Sequence, residues 1–186
     1  MALRTITFVR HGKTGKAAND LDRQLTEEGV KQAETRRVAL GFPFFDAVLS
    51  STADRAAETA AGVACVATVE VDRHPELYMP INEDDYQVVD KLFNELGYAS
   101  LDAYIARDAD VFKRYGAAAA DVILAYDKDM IEDVLVCGHA MMLSAIANAV
   151  LEGLGFEASS VVSGCNLGEC QGMRITVSDG TVLLLE

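Results

Sequence analysis

Apolar and polar positions change period several times along these 186 residues. Thr5–Val9 (TITFV) is a compact, β-rich run and predicts a strand. It ends at Arg10-His11-Gly12, where the glycine allows a sharp turn. Residues 13–24 are polar and predict a loop. A helix is expected from Leu25-Thr26-Glu27-Glu28-Gly29 to about Leu40, with Thr26 as its N-cap and Gly41 and Pro43 as its stop. Asp46–Leu49 predicts a second strand. Ser50, Ser51 and Thr52 then offer caps to an Ala-rich helix over Ala53–Ala64. Val66–Val71 predicts a third strand and Val134–Cys137 a fourth. Gly138-His139 leads into a strongly apolar helix, Ala140–Leu154. In the tail, Leu167–Cys170, Met173–Val177 and Val182–Leu185 read as paired antiparallel strands.

Strand, helix, strand, helix, strand, insert, strand, helix is the order of an α/β fold. The expected architecture is a three-layer α/β/α sandwich with a mostly parallel central sheet and a small helical cap insert, in a single domain over 1–186. The insert, residues 74–130, carries twelve acidic against five basic residues. It interrupts the alternation and is expected beside the catalytic end of the sheet.

Composition narrows the class. Apolar residues make up 51% and charged residues 24% of the chain, as in an ordinary globular protein. The net charge of −13 disfavours nucleic acid and anionic membranes as partners. Residues 1–37 nevertheless hold eight Lys/Arg against five Asp/Glu, a local balance of +3. A basic segment in an acidic chain marks a place to look for an anion site; a solvated helix face is the plain alternative. Cys65, Cys137, Cys165 and Cys170 form no CxxC pair and no zinc spacing with the three histidines, so no metal or other cofactor is expected. Cys165 and Cys170 could bridge in an oxidising compartment, but four reduced thiols fit better. The first apolar run is short and meets charge at once, and no apolar stretch reaches eighteen residues, so the expected compartment is the cytoplasm.

Three positions share one context. Arg10-His11 follows the first strand, Arg55 the second, and His139 the fourth. In an open α/β sheet these strand ends converge on one edge, where ligands bind. Arginine presents a planar donor fork suited to phosphate oxygens. A histidine at a helix start adds backbone N–H groups and the positive end of the helix dipole. A neutral imidazole can attack phosphorus and pass the phosphoryl group to water. Each motif alone is weak: an Arg-His turn or an arginine on an Ala-rich helix is common. Their joint placement in strand order is what carries the reading. His74, in the Asp72-Arg73-His74-Pro75 connector, reads as a loop histidine.

FVRHGKT, LTEEGVKQAE (Leu25–Glu34), LSSTADRAAETA (Leu49–Ala60) and VLVCGHA (Val134–Ala140) together resemble the histidine phosphatase superfamily, closest in character to its short phosphohistidine-phosphatase-like branch. The resemblance implies His11 as nucleophile, and Arg10, Arg55 and His139 as catalytic groups that also bind phosphate. Asn19 is similar to a phosphate-contacting asparagine of the first loop, at longer spacing from the nucleophile. Many members carry a glutamate as general acid just after the third strand; Met79 occupies that place here. Glu76, Glu83 and Asp84 are the nearby substitutes, and Glu76 is the candidate acid. Ala140 excludes the branch with an aspartate directly after the second histidine.

The implied function is hydrolysis of a phosphomonoester or phosphoramidate through phospho-His11, on a phosphorylated small molecule or phosphoprotein. Two alternatives stand beside it. One is a phosphoglycerate-mutase-type transferase, disfavoured by chain length and the missing glutamate. The other is a non-catalytic phosphate-binding protein on the same fold. The acidic insert disfavours large polyanions as substrates.

Overall fold

Continuous apolar runs become strands here because both faces of the sheet are covered by helices. The computed structural model describes residues 3–128 and 131–186; positions 129 and 130, the end of the expected insert, lie outside them. The sheet has six strands in the order β3-β2-β4-β1-β5-β6. Its parallel part comprises β1 (Thr5–Arg10), β2 (Ala47–Ser50), β3 (Asp72–Arg73) and β4 (Asp133–Gly138). β5 (Gly172–Thr176) and β6 (Thr181–Leu185) extend it antiparallel. β1 and β4 run in register from Thr5↔Asp133 to Arg10↔Gly138.

Alternation along the strands feeds two cores. Ile6, Phe8, Leu49, Val134 and Val136 face α5 (Ala109–Leu124) and α6 (Ala140–Gly153). Val9, Val48, Leu135 and Cys137 face α1 (Glu27–Ala39) and α2 (Asp54–Ala64). Each fully buried Leu or Met of α6, such as Met142 and Leu143, contributes roughly 1.5–3 kcal/mol of transfer free energy. The layered sandwich and the mostly parallel sheet are as expected. Among the described residues, no helix is long and apolar enough to cross a membrane.

α1 begins where the sequence placed it. Thr26 Oγ1 accepts the Gly29 N–H at 3.1 Å, Glu27 and Glu28 fill the first turn, and Arg36 and Arg37 the last. A Cβ on Gly29 would lie 2.2 Å from the Lys13 carbonyl oxygen, so only glycine lets this helix start press against the chain leaving β1. The insert holds α3 (Glu83–Leu96), α4 (Leu101–Ile105) and α5. A short helix in the tail, α7 (Ser160–Gly164), has no counterpart among the expected elements.

Two expected strands are absent. Val66–Val71 is mostly a 3-10 turn, Thr68–Glu70, and pairing with β2 starts only at Asp72. Cys65 closes α2 in the left-handed region at φ 59°, and Glu70 Oε2 accepts the Ala67 N–H, so local turn bonds outweigh the β-branched residues. Val69 is 93% exposed, with no core face to reward pairing. Leu167–Cys170 is a turn with Cys170 at φ 54°. Its polar groups serve Arg10 instead of a strand partner: Leu167 O accepts from Arg10 Nη1 at 2.6 Å, and Cys170 N donates to Arg10 O at 3.2 Å. All four cysteines are unpaired, Cys165 and Cys170 included.

Candidate active site

β4 lies between β1 and β2, and backbone bonds continue the sheet past its last residues. His11 N donates to Gly138 O at 3.0 Å, and Ser51 N donates to Cys137 O at 3.1 Å. His11, His139 and Ser51 are thereby set side by side at the C-terminal edge. A cavity of about 620 Å³ opens there, with Arg10, His11, Arg55 and His139 in its lining.

The His11 ring is oriented by its own turn: Nδ1 bonds the Gly12 carbonyl at 2.8 Å. That contact makes Nδ1 the protonated nitrogen and leaves a lone pair on Nε2, which has no hydrogen-bond partner among the described residues. Burial, chiefly, lowers the His11 pKa to about 4. The Gly12 carbonyl opposes this, and the charges of Arg55, Arg10 and Arg23 add to it. The ring is therefore neutral at neutral pH. His139 lies 5.2 Å away between ring centroids, inclined at 59°. Its Nε2 meets Ser51 Oγ at 2.9 Å, and its Nδ1 meets Arg55 Nη2 at 3.4 Å. Burial, then the charges of His11 and Arg55, hold His139 well below the usual histidine range.

Both arginines are buried and keep unspent donors. Arg10 Nε and Arg55 Nε have no hydrogen-bond partner among the described residues. A buried unpaired N–H in a cationic cavity is a place for an anion. Arg55 spends its other nitrogens on Asp20: Nη1 donates to the Asp20 carbonyl at 2.5 Å and Nη2 to Asp20 Oδ2 at 2.6 Å. Tyr78 also donates its hydroxyl to Asp20 Oδ2, at 2.8 Å, and Arg23 pairs with Asp20 Oδ1 at 3.1 Å. Burial works against the Asp20 charge, yet the hydrogen bonds from Tyr78 and Arg55 and the Arg55 charge outweigh it. The carboxyl stays below the usual carboxylate range. Tyr78 is pushed up to about 12 by burial and by Asp20.

Arg10, His11, Arg55 and His139 thus meet at one point. Asn19 does not join them: it is exposed, and its Oδ1 caps the Leu21 N–H at 3.2 Å. Glu76 sits on the 3-10 segment Pro75–Leu77 and is not part of the cavity lining, nor are Glu83 and Asp84; Met79 is. The sequence reading passed over Asp20, Arg23 and Tyr78, and gave Ser51 only a capping role. Asp20 looked like one more polar loop residue. Only the closed loop, fixed by Gly15 N to Gln24 O and by Asp54 N to Leu21 O, turns it onto Arg55.

The fold and this cluster together define an α/β phosphatase. The chain belongs to the histidine phosphatase superfamily (branch 1), which it matches over residues 6–180. No curated protein sequence matches it. Solved structures share its fold at low identity. A phosphoserine phosphatase from Entamoeba histolytica in complex with 3-phosphoglyceric acid superposes with a TM-score of 0.64 at 19% identity, covering 98% of this chain and 95% of that one. A mycobacterial glucosyl-3-phosphoglycerate phosphatase gives 0.60 at 15% identity over 97% and 96%. The protein histidine phosphatase SixA, complexed with tungstate, gives 0.58 at 17% over 97% and 93%.

Proposed function

We propose that this chain hydrolyses a phosphomonoester or phosphoramidate through a phosphohistidine on His11. The observation that carries this reading is the neutral His11 ring, with Nδ1 held by Gly12 and a free Nε2 in a cavity that also holds two unspent arginine donors. Nε2 attacks phosphorus, the bond to the leaving group breaks, and the leaving group takes up a proton. Water then attacks phosphorus, the N–P bond breaks, phosphate leaves and the His11 ring is neutral again. The proton taken up by the leaving group comes from solvent, and the one lost by the attacking water returns to it. Arg10 and Arg55 hold the equatorial oxygens of the loose transition state. His139, neutral at rest, becomes easier to protonate beside a phosphate dianion and adds a third donor.

The substrate is a phosphorylated small molecule or phosphoprotein. The related structures act on both kinds, by their names: phosphoserine and glucosyl-3-phosphoglycerate on one side, protein phosphohistidine on the other. An apolar Met79 in the cavity, where many relatives carry an acid, favours a leaving group that needs little protonation. Four unpaired thiols fit a reducing compartment such as the cytoplasm. Turnover of an aryl phosphate should accumulate an acid-labile, base-stable phosphoenzyme on rapid quenching. His11→Ala should abolish both; wild-type hydrolysis by that variant sinks the proposal.

A further inference from the structure

The cavity extends well past the phosphate grip, and its far wall has a chemistry of its own. α3 contributes Tyr86, Asp90 and Phe93 to the lining. Their spacing of four and three residues puts them on one helix face. The face is apolar except for the carboxylate in its middle. Two further tyrosines join this wall to the grip: the Tyr78 ring meets His139 edge-on at 5.1 Å, and the Tyr98 ring lies under the Arg10 guanidinium at 4.9 Å. Tyr98 is otherwise 78% exposed, leaving ring surface for a ligand.

The charge on the α3 wall is the Asp90 carboxylate. Asp90 Oδ2 accepts from the Asn94 amide at 3.3 Å. Glu169, also in the lining, sits against α1, where its Oε2 accepts from the Gln32 amide at 3.0 Å and its charge acts on Lys13. Asp90 is not ion-paired among the described residues. Asp20 lies nearer the phosphate end, where Arg55 and Arg23 balance it. A substrate entering with a second anionic group would therefore meet the bare Asp90 carboxylate, while aromatic rings beside a carboxylate attract a cation.

Resting on the phosphatase reading, we infer that the Tyr86–Asp90–Phe93 face of α3 is a leaving-group subsite for an aromatic group that is neutral or positively charged, and that it rejects anionic ones. Asp90 is the specificity residue.

Three aryl phosphates with similar phenols test this: 4-(aminomethyl)phenyl, 4-(hydroxymethyl)phenyl and 4-(carboxymethyl)phenyl phosphate. The order of kcat/KM should be amine, then alcohol, then carboxylate, with about tenfold or more between the extremes. Asp90→Asn should shrink that ratio to about threefold or less. The matching phosphonates, titrated calorimetrically, should bind in the same order whether or not the protein turns over. Equal binding and turnover across the series, a preference for the carboxylate, or an unchanged ratio in Asp90→Asn overturns the subsite. Absence of hydrolysis with the binding order intact overturns the nucleophile reading and leaves the subsite standing.

Discussion

Asp20 is the residue whose role is hardest to see from the sequence and plainest in the structure. It occupies both Arg55 Nη groups, Nη1 with its backbone carbonyl and Nη2 with its carboxylate. On the proposed reading, a phosphorylated substrate would have to exchange with this internal anion, and part of its binding free energy would go into displacing Asp20. Asp20→Asn weakens the resident competitor without removing the side chain. It should tighten inhibition by vanadate several-fold; an unchanged or weaker inhibition constant would show that Asp20 does not compete. His11, Arg10, Arg55 and His139 were legible because each sits beside a strand end, and strand ends follow from local apolar runs. Asp20, Tyr78 and Arg23 were not, because a polar loop carries no periodicity and their meeting depends on how residues 13–24 fold back onto α2.

Among the elements, those with a buried face were readable, and so was the edge strand β6, but the stretch between α2 and β3 was not. β1, β4, α2 and α6 follow their apolar pattern closely because each packs against the sheet or forms it. The stretch after α2 carries the same residue types, but at the sheet's edge turn bonds outweighed propensity. The junction of β1 with α1 is tightly packed. Gly12 and Gly29 touch there: a Cβ on Gly12 would lie 2.8 Å from Gly29 O. Gly29→Ala should force α1 away from Lys13 and cost about 1–3 kcal/mol, as overpacking of a filled space does. Urea denaturation would measure it. A variant as stable as the parent would mean that the α1 start yields freely. Activity should fall with stability, since the His11 turn rests on this contact.

In the whole molecule, the charge asymmetry seen in the sequence has a location. The +3 segment supplies Arg10, Lys13 and Arg23 to the cavity lining, and the acidic remainder supplies Asp90 on α3. Burying two neutral histidines also makes stability depend on pH. The folded His11 pKa is about 4, against an unfolded value near 6.5; His139 shifts the same way. Between those values the unfolded chain binds protons that the folded one refuses. Stability is thus highest above about pH 6.5 and declines as the pH falls toward 4. Chemical denaturation at steps across that window should show the decline. Saturating phosphate should flatten it, because a bound anion favours the protonated rings. A flat profile without phosphate would mean that the imidazoles titrate normally.

The division between sheet edge and α3 face has an evolutionary reading. On the proposed mechanism, reactivity resides in residues locked by strand register, where exchanges should cost turnover. Selectivity, on the subsite inferred above, would reside on a helix whose cavity-facing side chains hold up nothing in the grip. A lineage could therefore explore new metabolites by changing three or four codons in α3 while keeping its catalyst intact, and paralogues of this chain should diverge there first.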